Sequence, residues 1–237
     1  MIMAYKTKKL LAKRSNYGSS RSTKAIKYLV YHYTANDGDT DEANAKYFHN
    51  NVVKASAHYF IDDDSVTISV PINYVAWHCG GGLQGSGGHT YYKKCTNINS
   101  IGIEMCDTVR NGKHDISSKT RANAIALGKE LIKKYGIKKE NVIRHYDVTG
   151  KNCPAYFVKD EDAWNKFKDE LFETAKKDNS YKVKITAKTL NIREGAGTDY
   201  KILSTYKKGE KVTIKSEKNG WGKTDKGWIK LSYTKKV

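Results

Sequence analysis

The sequence predicts an α/β protein: a mixed central sheet flanked by helices, joined to a second, small all-β barrel. Three observations predict it. The first is the order of hydrophobic patterns over roughly the first three quarters of the chain, which reads strand, helix, hairpin, strand, helix, helix. The second is a change of pattern after AKKDNS, near residue 180, to short alternating segments separated by Gly-containing turns. The third is length. At 237 residues, against a prior of roughly 100–200 residues per domain, the chain accommodates one large domain and a small companion. The expected bounds are 1–178 and 179–237.

Each element has a local reason. KYLVYHYTAN (27–36) is a β-branched and aromatic run ending in turn residues, a strand in which Val30 and His32 share one face and Leu29, Tyr31 and Tyr33 the other. In TDEANAKYFHNN, Thr40 is an N-cap with acids in the first turn, followed by Ala43 and Tyr47 four apart, which makes a short helix. SAHYFIDDDSVTISVPI reads as a hairpin turning at Asp62 to Ser65. SIGIEMC (100–106) is a strand with Ile101, Ile103 and Met105 on one face and Gly102, Glu104 and Cys106 on the other. A longer helix begins at Ser118, is lined by Ile125, Leu131 and Ile132, and stops at Gly136. Another begins at Asp160, with Trp164, Phe167 and Leu171 at helical spacing. The Gly-rich GGGLQGSGGH (80–89) lacks the Gly-Lys-Ser/Thr ending of a phosphate loop and reads as a flexible surface loop.

Composition bounds the function. Hydrophobic residues make up 38% and aromatic ones 11%, as in an ordinary globular protein rather than a disordered one. No apolar run approaches the ~18 residues that cross a bilayer, so membrane insertion is not expected. The basic N-terminal stretch lacks the apolar centre and cleavage site of a signal peptide, so synthesis in the cytoplasm without one is expected. The formal net charge of +18 points to an anionic partner. Much of it lies in residues 181–237, where 14 Lys and 1 Arg face five acids. No helix-turn-helix or aromatic RNA-binding signature accompanies the charge, so no specific nucleic acid is expected. Four cysteines, Cys79, Cys95, Cys106 and Cys153, are too few for a disulfide scaffold, although the sequence allows a Cys79–Cys95 bridge.

The stretch RHYDVTGKNCPAYF (144–157) contains Gly, Asn and Pro and reads as a loop rather than a regular helix. It offers an imidazole at His145 and a thiol at Cys153, with Lys151 two residues before the thiol. If the first strand ends at the same edge of the sheet, His32 completes two imidazoles and one thiolate, a donor set that holds catalytic zinc with a fourth position open. Amide hydrolysis also needs a base and a cation for the oxyanion. Glu104 fits the first role, turned by alternation toward the room that Gly102 leaves, and Lys151 fits the second. Singly, His32 reads as a packed histidine before it reads as a ligand, and the others describe a salt-bridged carboxylate, a solvated lysine and a small buried cysteine. Only their conjunction points to a site.

The chain resembles the zinc-dependent type 2 N-acetylmuramoyl-L-alanine amidases, the family that includes the peptidoglycan recognition proteins and the endolysins of phages of Gram-positive bacteria. The motifs that carry the resemblance are YHYTAND (31–37), SAHYFIDD (56–63), AWHCG (76–80), SIGIEMC (100–106) and RHYDVTGKNCP (144–154), in the family's order. The resemblance implies His32, His145 and Cys153 as ligands of Zn2+, Glu104 as general base and Lys151 as the group that steadies the tetrahedral intermediate. Some relatives use Asp as the third ligand. Others carry a catalytic Tyr where this chain has Ala57, and Tyr59 is not a safe substitute. His58, as second layer or groove lining, and Trp77 and His78 are the expected substrate-binding residues, a packed Trp77 being an equal alternative. His49, His89 and His114 read as solvated. TLNIREGAGTDYKILSTYKKGEKV and NGWGKTDKGWIKLSY resemble a bacterial Src-homology-3-like cell-wall-binding domain, with Trp221 and Trp228 expected in its core.

The expected protein is therefore a phage or prophage lysin that cuts the amide between N-acetylmuramic acid and L-alanine in the peptidoglycan of Gram-positive walls. Anionic wall polymers such as teichoic acids are expected further partners of the barrel. The alternative is a non-catalytic peptidoglycan-binding module. Relatives of that kind lack the Cys ligand, which this chain has.

Overall fold

The computed structural model describes residues 5–173 and 180–237. The chain divides into two compact units, one ending at Glu173 and the other holding the strands from Tyr181 onward. The boundary expected between residues 178 and 179 lies outside the described residues.

The first unit is built on a six-stranded sheet in the order Lys6–Lys9, Ser65–Ile68, Tyr59–Ile61, Ser100–Met105, Tyr28–Tyr33, Val142–Arg144. Tyr59–Ile61 and Ser65–Ile68 pair antiparallel as the expected hairpin, and every other neighbour is parallel. The strand Lys6–Lys9 escaped the sequence reading because KTKK is exposed at all four positions and carries no apolar alternation. Lysines on an edge strand discourage pairing with another chain.

Alternation divides the sheet as the pattern requires. Leu29, Tyr31, Ile101, Ile103 and Met105 join one core with Leu127, Leu131, Trp164, Phe167 and Leu171 from two helices. Each such side chain contributes about 1.5–3 kcal/mol by burial. The helix Ser118–Tyr135 is capped by the Ser117 hydroxyl, which accepts from Thr120 N–H, and ends at Gly136 with φ 64°. Its inward stripe is Ala124, Leu127 and Leu131, while Ile125 and Ile132 pack at the margin. Asp160 caps Glu161–Phe172, and Thr40 caps Asp41–Asn50. On the other side of the sheet, Val30, Ile143 and Val148 cluster with Cys79 and Cys95. All four cysteines are free, so the allowed Cys79–Cys95 bridge is not formed.

Two expectations are corrected here, the all-loop reading of 144–157 and the solvated His89. The 144–157 stretch is not all loop: His145–Thr149 and Ala155–Lys159 are short helices, the first ended by Gly150 at φ 81°. Residues 80–89 form the expected surface loop, with no helix or strand, but it is tied to the 145–150 segment. Gln84 N–H donates to Thr149 O at 2.6 Å, and His89, expected to be solvated, is partly buried with its Nε2 3.1 Å from Gln84 O.

The second unit contains a three-stranded and a five-stranded antiparallel sheet. Its core is Val183, Ile185, Leu190, Ile192, Tyr206, Ile214 and Ile229. Of the two tryptophans expected in the core, Trp221 is buried at its edge and Trp228 is not. Trp221 is buried beneath the Lys230 ammonium and lines a shallow cavity with Arg193 and Tyr233, and Trp228 is half-exposed. Interleaved aliphatic residues fill so small an interior, leaving the larger indoles at its margin.

Candidate active site

The site is assembled by strand register. Tyr28–Tyr33 lies between Ser100–Met105 and Val142–Arg144, and its pairing sets His32 beside Glu104 and Tyr31 beside Arg144. His145 follows Arg144 directly, so it emerges at the carboxyl edge where His32 lies. Cys153 returns to that edge through a loop closed by Tyr146 N–H, which donates to Cys153 O at 3.0 Å. Arg144, almost wholly buried, staples the turn by donating to Asp147 at 2.8 Å, Glu161 at 2.7 Å and Phe157 O at 2.7 Å.

The ligand atoms of His32, His145 and Cys153 all lie within 4.8 Å of one another. His32 Nδ1 is 3.8 Å from Cys153 Sγ, and the rings of His32 and His145 meet at 4.8 Å between centroids. All three residues are buried. Tetrahedral zinc bonds of about 2.0–2.3 Å separate their ligands by roughly 3.3–3.8 Å. The trio is thus near closure, with its widest edge needing to draw in by about 1 Å. Both nitrogens of His145 are buried without a hydrogen-bond partner, as is Glu104 Oε2. Unpaired buried polar atoms are costly, and three of them converging on one edge fit a site that awaits a cation.

Electrostatics agree with that fit. Burial, and then the repulsion a protonated ring would meet from its neighbours His145, His78 and Lys151, holds His32 well below the usual imidazole range. Burial and then Lys151 hold His145 at about 4. Burial pushes the Cys153 thiol up to about 12. It also pushes Glu104 up to about 8, against the pull of Lys151 and with the help of Asp39 and Asp107. The imidazoles are therefore ready as neutral donors, while the thiol and the carboxyl hold protons until a positive charge arrives.

Glu104 and Lys151 line one cavity of about 480 Å³. Its far wall is Ala43, Tyr47 and Phe48 of the Asp41–Asn50 helix, and Asn36, Asn44 and Asn152 add amides. The sequence reading did not single out those three amides, which lie on three separate segments.

The three residues expected to contact substrate sit elsewhere. His58 is fully buried, with Nδ1 accepting from Gly102 N–H at 3.1 Å and its ring 5.8 Å from that of His78, so of its two expected places it takes the second layer and not the groove lining. His78 is also buried and touches His32 and Ser100. Trp77 is half-buried with its indole toward Gly18, while its backbone N–H donates to Ser56 Oγ at 3.0 Å. His114, expected to be solvated, is paired with Asp107, whose other oxygen accepts from Thr34 Oγ1 and Asn36 N–H. Tyr59 packs on the helix-covered side of the sheet, away from this site. His49 is exposed, as expected.

Gly150 ties this geometry to Lys151. A Cβ there would lie 1.9 Å from Gln84 O and 2.4 Å from His89 Nε2, at a φ that L-residues rarely adopt. We expect Gly150→Ala to cost about 1–3 kcal/mol from backbone strain before any clash is relieved. It should lower the melting temperature of the first unit, measured by calorimetry, together with activity.

Comparison with known proteins agrees with the geometry. The N-acetylmuramoyl-L-alanine amidase family model matches residues 22–156, more than half of the chain, and the bacterial SH3 domain model matches residues 188–235. The chain belongs to the N-acetylmuramoyl-L-alanine amidase family. It is 35% identical over 153 residues to the N-acetylmuramoyl-L-alanine amidase BlyA of Bacillus subtilis (strain 168), covering 62% of this chain and 41% of that protein. It is 31% identical over 224 residues to CwlA of the same organism, covering 89% of this chain and 77% of that one. Among solved structures, the catalytic domain of XlyA matches 70% of this chain and 99% of its own length, with a TM-score of 0.55 and 29% identity. The chain therefore spans less than half of BlyA and most of CwlA.

Proposed function

We propose that the protein hydrolyses peptidoglycan at the amide between the lactyl group of N-acetylmuramic acid and L-alanine, with zinc held by His32, His145 and Cys153. The observation that carries this reading is the meeting, at one strand edge, of two imidazoles and a thiol beside a cavity lined by a buried carboxyl and a lysine. Bound there, zinc supplies an acidified water and a polarised carbonyl. Glu104 takes the proton of the attacking water and passes it to the departing amine of L-alanine. Lys151 places its charge where the carbonyl oxygen becomes negative. Tyr47 and Phe48 offer an apolar wall, and Asn36, Asn44 and Asn152 offer amides for the polar groups of a stem peptide.

The barrel, by its similarity to bacterial SH3 domains, holds the enzyme on the wall. Its fourteen lysines attract wall phosphates, an attraction screened over about 8 Å at physiological salt. No helix among the described residues is long and apolar enough to cross a membrane. Action on the wall as a phage or prophage lysin is the setting that the resemblance to endolysins supports, among them a solved mutant endolysin from Bacillus subtilis at 28% identity and a TM-score of 0.56.

The test is mass spectrometry of purified Gram-positive sacculi digested with wild-type, EDTA-treated and Glu104→Ala protein. New L-alanine amino termini without new reducing sugar ends, from the metal-loaded wild type alone, are expected. Intact sacculi with tightly bound protein would favour the non-catalytic module.

Zinc uptake should also release protons in a defined number. With the imidazoles already neutral at pH 6.5, Cys153 must lose its proton to bind, and Glu104, at about 8 without metal, loses its own to the nearby cation. Calorimetry in buffers of differing ionisation heat should give close to two protons per zinc in the wild type and one in Glu104→Gln. Affinity should accordingly weaken as pH falls. Equal release by the two proteins would disprove the coupling of Glu104 to the metal.

A further inference from the structure

We propose that His78 is a positioning residue for the metal centre: with Ser100 it locks His32 in the tautomer whose Nδ1 lone pair faces Cys153, and Gly102 provides its seat. This rests on the reading of His32 as a metal ligand.

The assignment follows from counting hydrogens. Ser100 Oγ lies 2.6 Å from Thr96 O, a carbonyl that can only accept, so the single hydroxyl hydrogen of Ser100 points there. Ser100 Oγ then meets His78 Nε2, at 3.0 Å, only as an acceptor, which puts a hydrogen on Nε2. A neutral imidazole carries one N–H, so His78 Nδ1 is a lone pair and accepts from His32 Nε2 at 3.0 Å. His32 therefore keeps its hydrogen on Nε2. Its free lone pair is on Nδ1, the atom 3.8 Å from Cys153 Sγ.

The surroundings fix the relay in place. The N–H groups of His78 and Cys79 both donate to Asn97 Oδ1, at 3.0 and 2.9 Å. Arg21 donates to the carbonyls of Asn97, Ile98 and Ser100 at 3.1, 2.8 and 2.6 Å, holding the 96–100 turn to which Ser100 and Asn97 belong. A Cβ on Gly102 would lie 2.4–2.8 Å from Cγ, Nδ1 and Cδ2 of the His78 ring. Strand alternation puts Ser100, Gly102 and Glu104 on one face, so three consecutive inward positions serve as anchor, seat and base. A hydrogen bond to the distal nitrogen of a ligating histidine sets its tautomer and raises its basicity, and loss of such a partner typically costs 10–100-fold in metal affinity.

The test joins two measurements. In metal-free wild type labelled with 15N, long-range proton–nitrogen correlations of the imidazoles should show His32 protonated on Nε2 and His78 protonated on Nε2. Zinc affinity, read by chelator competition, should weaken about 10- to 100-fold in His78→Phe, which fills the space without an acceptor. His78→Asn, whose Oδ1 stands where Nδ1 was, should recover much of that loss, and Gly102→Ala should resemble His78→Phe. The proposal is overturned by a metal-free wild type with His32 protonated on Nδ1, or by His78→Phe binding zinc within twofold of wild type. Wild-type protein that binds no zinc would sink the metal reading of the preceding section, while the tautomer measurement, which needs neither zinc nor a variant, would still decide the relay.

Discussion

Replacing Glu104 by alanine is expected to lower turnover on purified sacculi by about 10²- to 10⁴-fold, the usual contribution of a positioned acid–base group, while one zinc per chain stays bound. Both halves of that expectation matter. Glu104 is partnered in register with His32 and lines the cavity, but it is not among the three clustered ligand atoms. Its removal should therefore take away the proton acceptor and spare the metal. Retained turnover would refute the base assignment, and lost zinc would make Glu104 a ligand.

A stability measurement gives an independent reading of the same residue. Burial raises Glu104 from 4.5 to about 8 in the metal-free protein. An acid whose pKa is higher folded than unfolded binds its proton more tightly when folded. It favours folding at pH values below 4.5, and that contribution is lost as the pH rises toward 8. Metal-free wild type should thus lose stability between pH 5 and 8 relative to Glu104→Gln, in thermal denaturation followed by circular dichroism. Parallel curves for the two proteins would show that the carboxyl is solvated.

Cys153→Ser is expected to abolish both metal binding and lysis, with zinc affinity falling by more than the roughly hundredfold upper end seen for a lost partner outside the ligand shell. Burial already pushes the thiol up to about 12, and a serine hydroxyl is a far weaker acid than a thiol. It would offer no anion to the metal. Cys153→Asp provides the contrast, since a carboxylate ionises readily and serves as third ligand in some relatives. We expect it to keep measurably more zinc than the serine variant, by atomic absorption after gel filtration. Full zinc content in Cys153→Ser would remove Cys153 from the ligand set.

Much of the site was legible because its chemistry is written in residue type and short interval. The eight-residue spacing of His145 and Cys153, with Lys151 two before the Cys, is local, and the loop that closes it is held by bonds within residues 144–161. The alternation of SIGIEMC identified the face that Glu104 takes. What misled was His78, which sits in a motif beside a glycine-rich loop and looks like surface chemistry. His78 turned out to occupy the hollow above Gly102, a position no pattern within residues 76–80 could disclose. The missing signal lay in Ser100 and Gly102, two small residues on the site-facing side of a strand whose other side, Ile101, Ile103 and Met105, packs into the helix-covered core. Trp228 of the barrel misled for a related reason, since aromatic content alone does not say whether a small core has room.

The sequence by itself determined the three longer helices, with the Thr40 cap and starts at Ser118 and Asp160, the faces of the two central strands, and the residue types able to hold a metal. These depend on hydrogen bonds and side-chain periodicities spanning a few residues, so neighbours in the chain are enough to settle them. Only the tertiary structure decided that Tyr28–Tyr33 lies between Ser100–Met105 and Val142–Arg144. That order brings His32, Glu104 and His145 to one edge and sets His78 behind them. Strand neighbours are selected by the joint burial of faces contributed by segments up to more than a hundred residues apart, a property of the whole packed core that no local pattern contains.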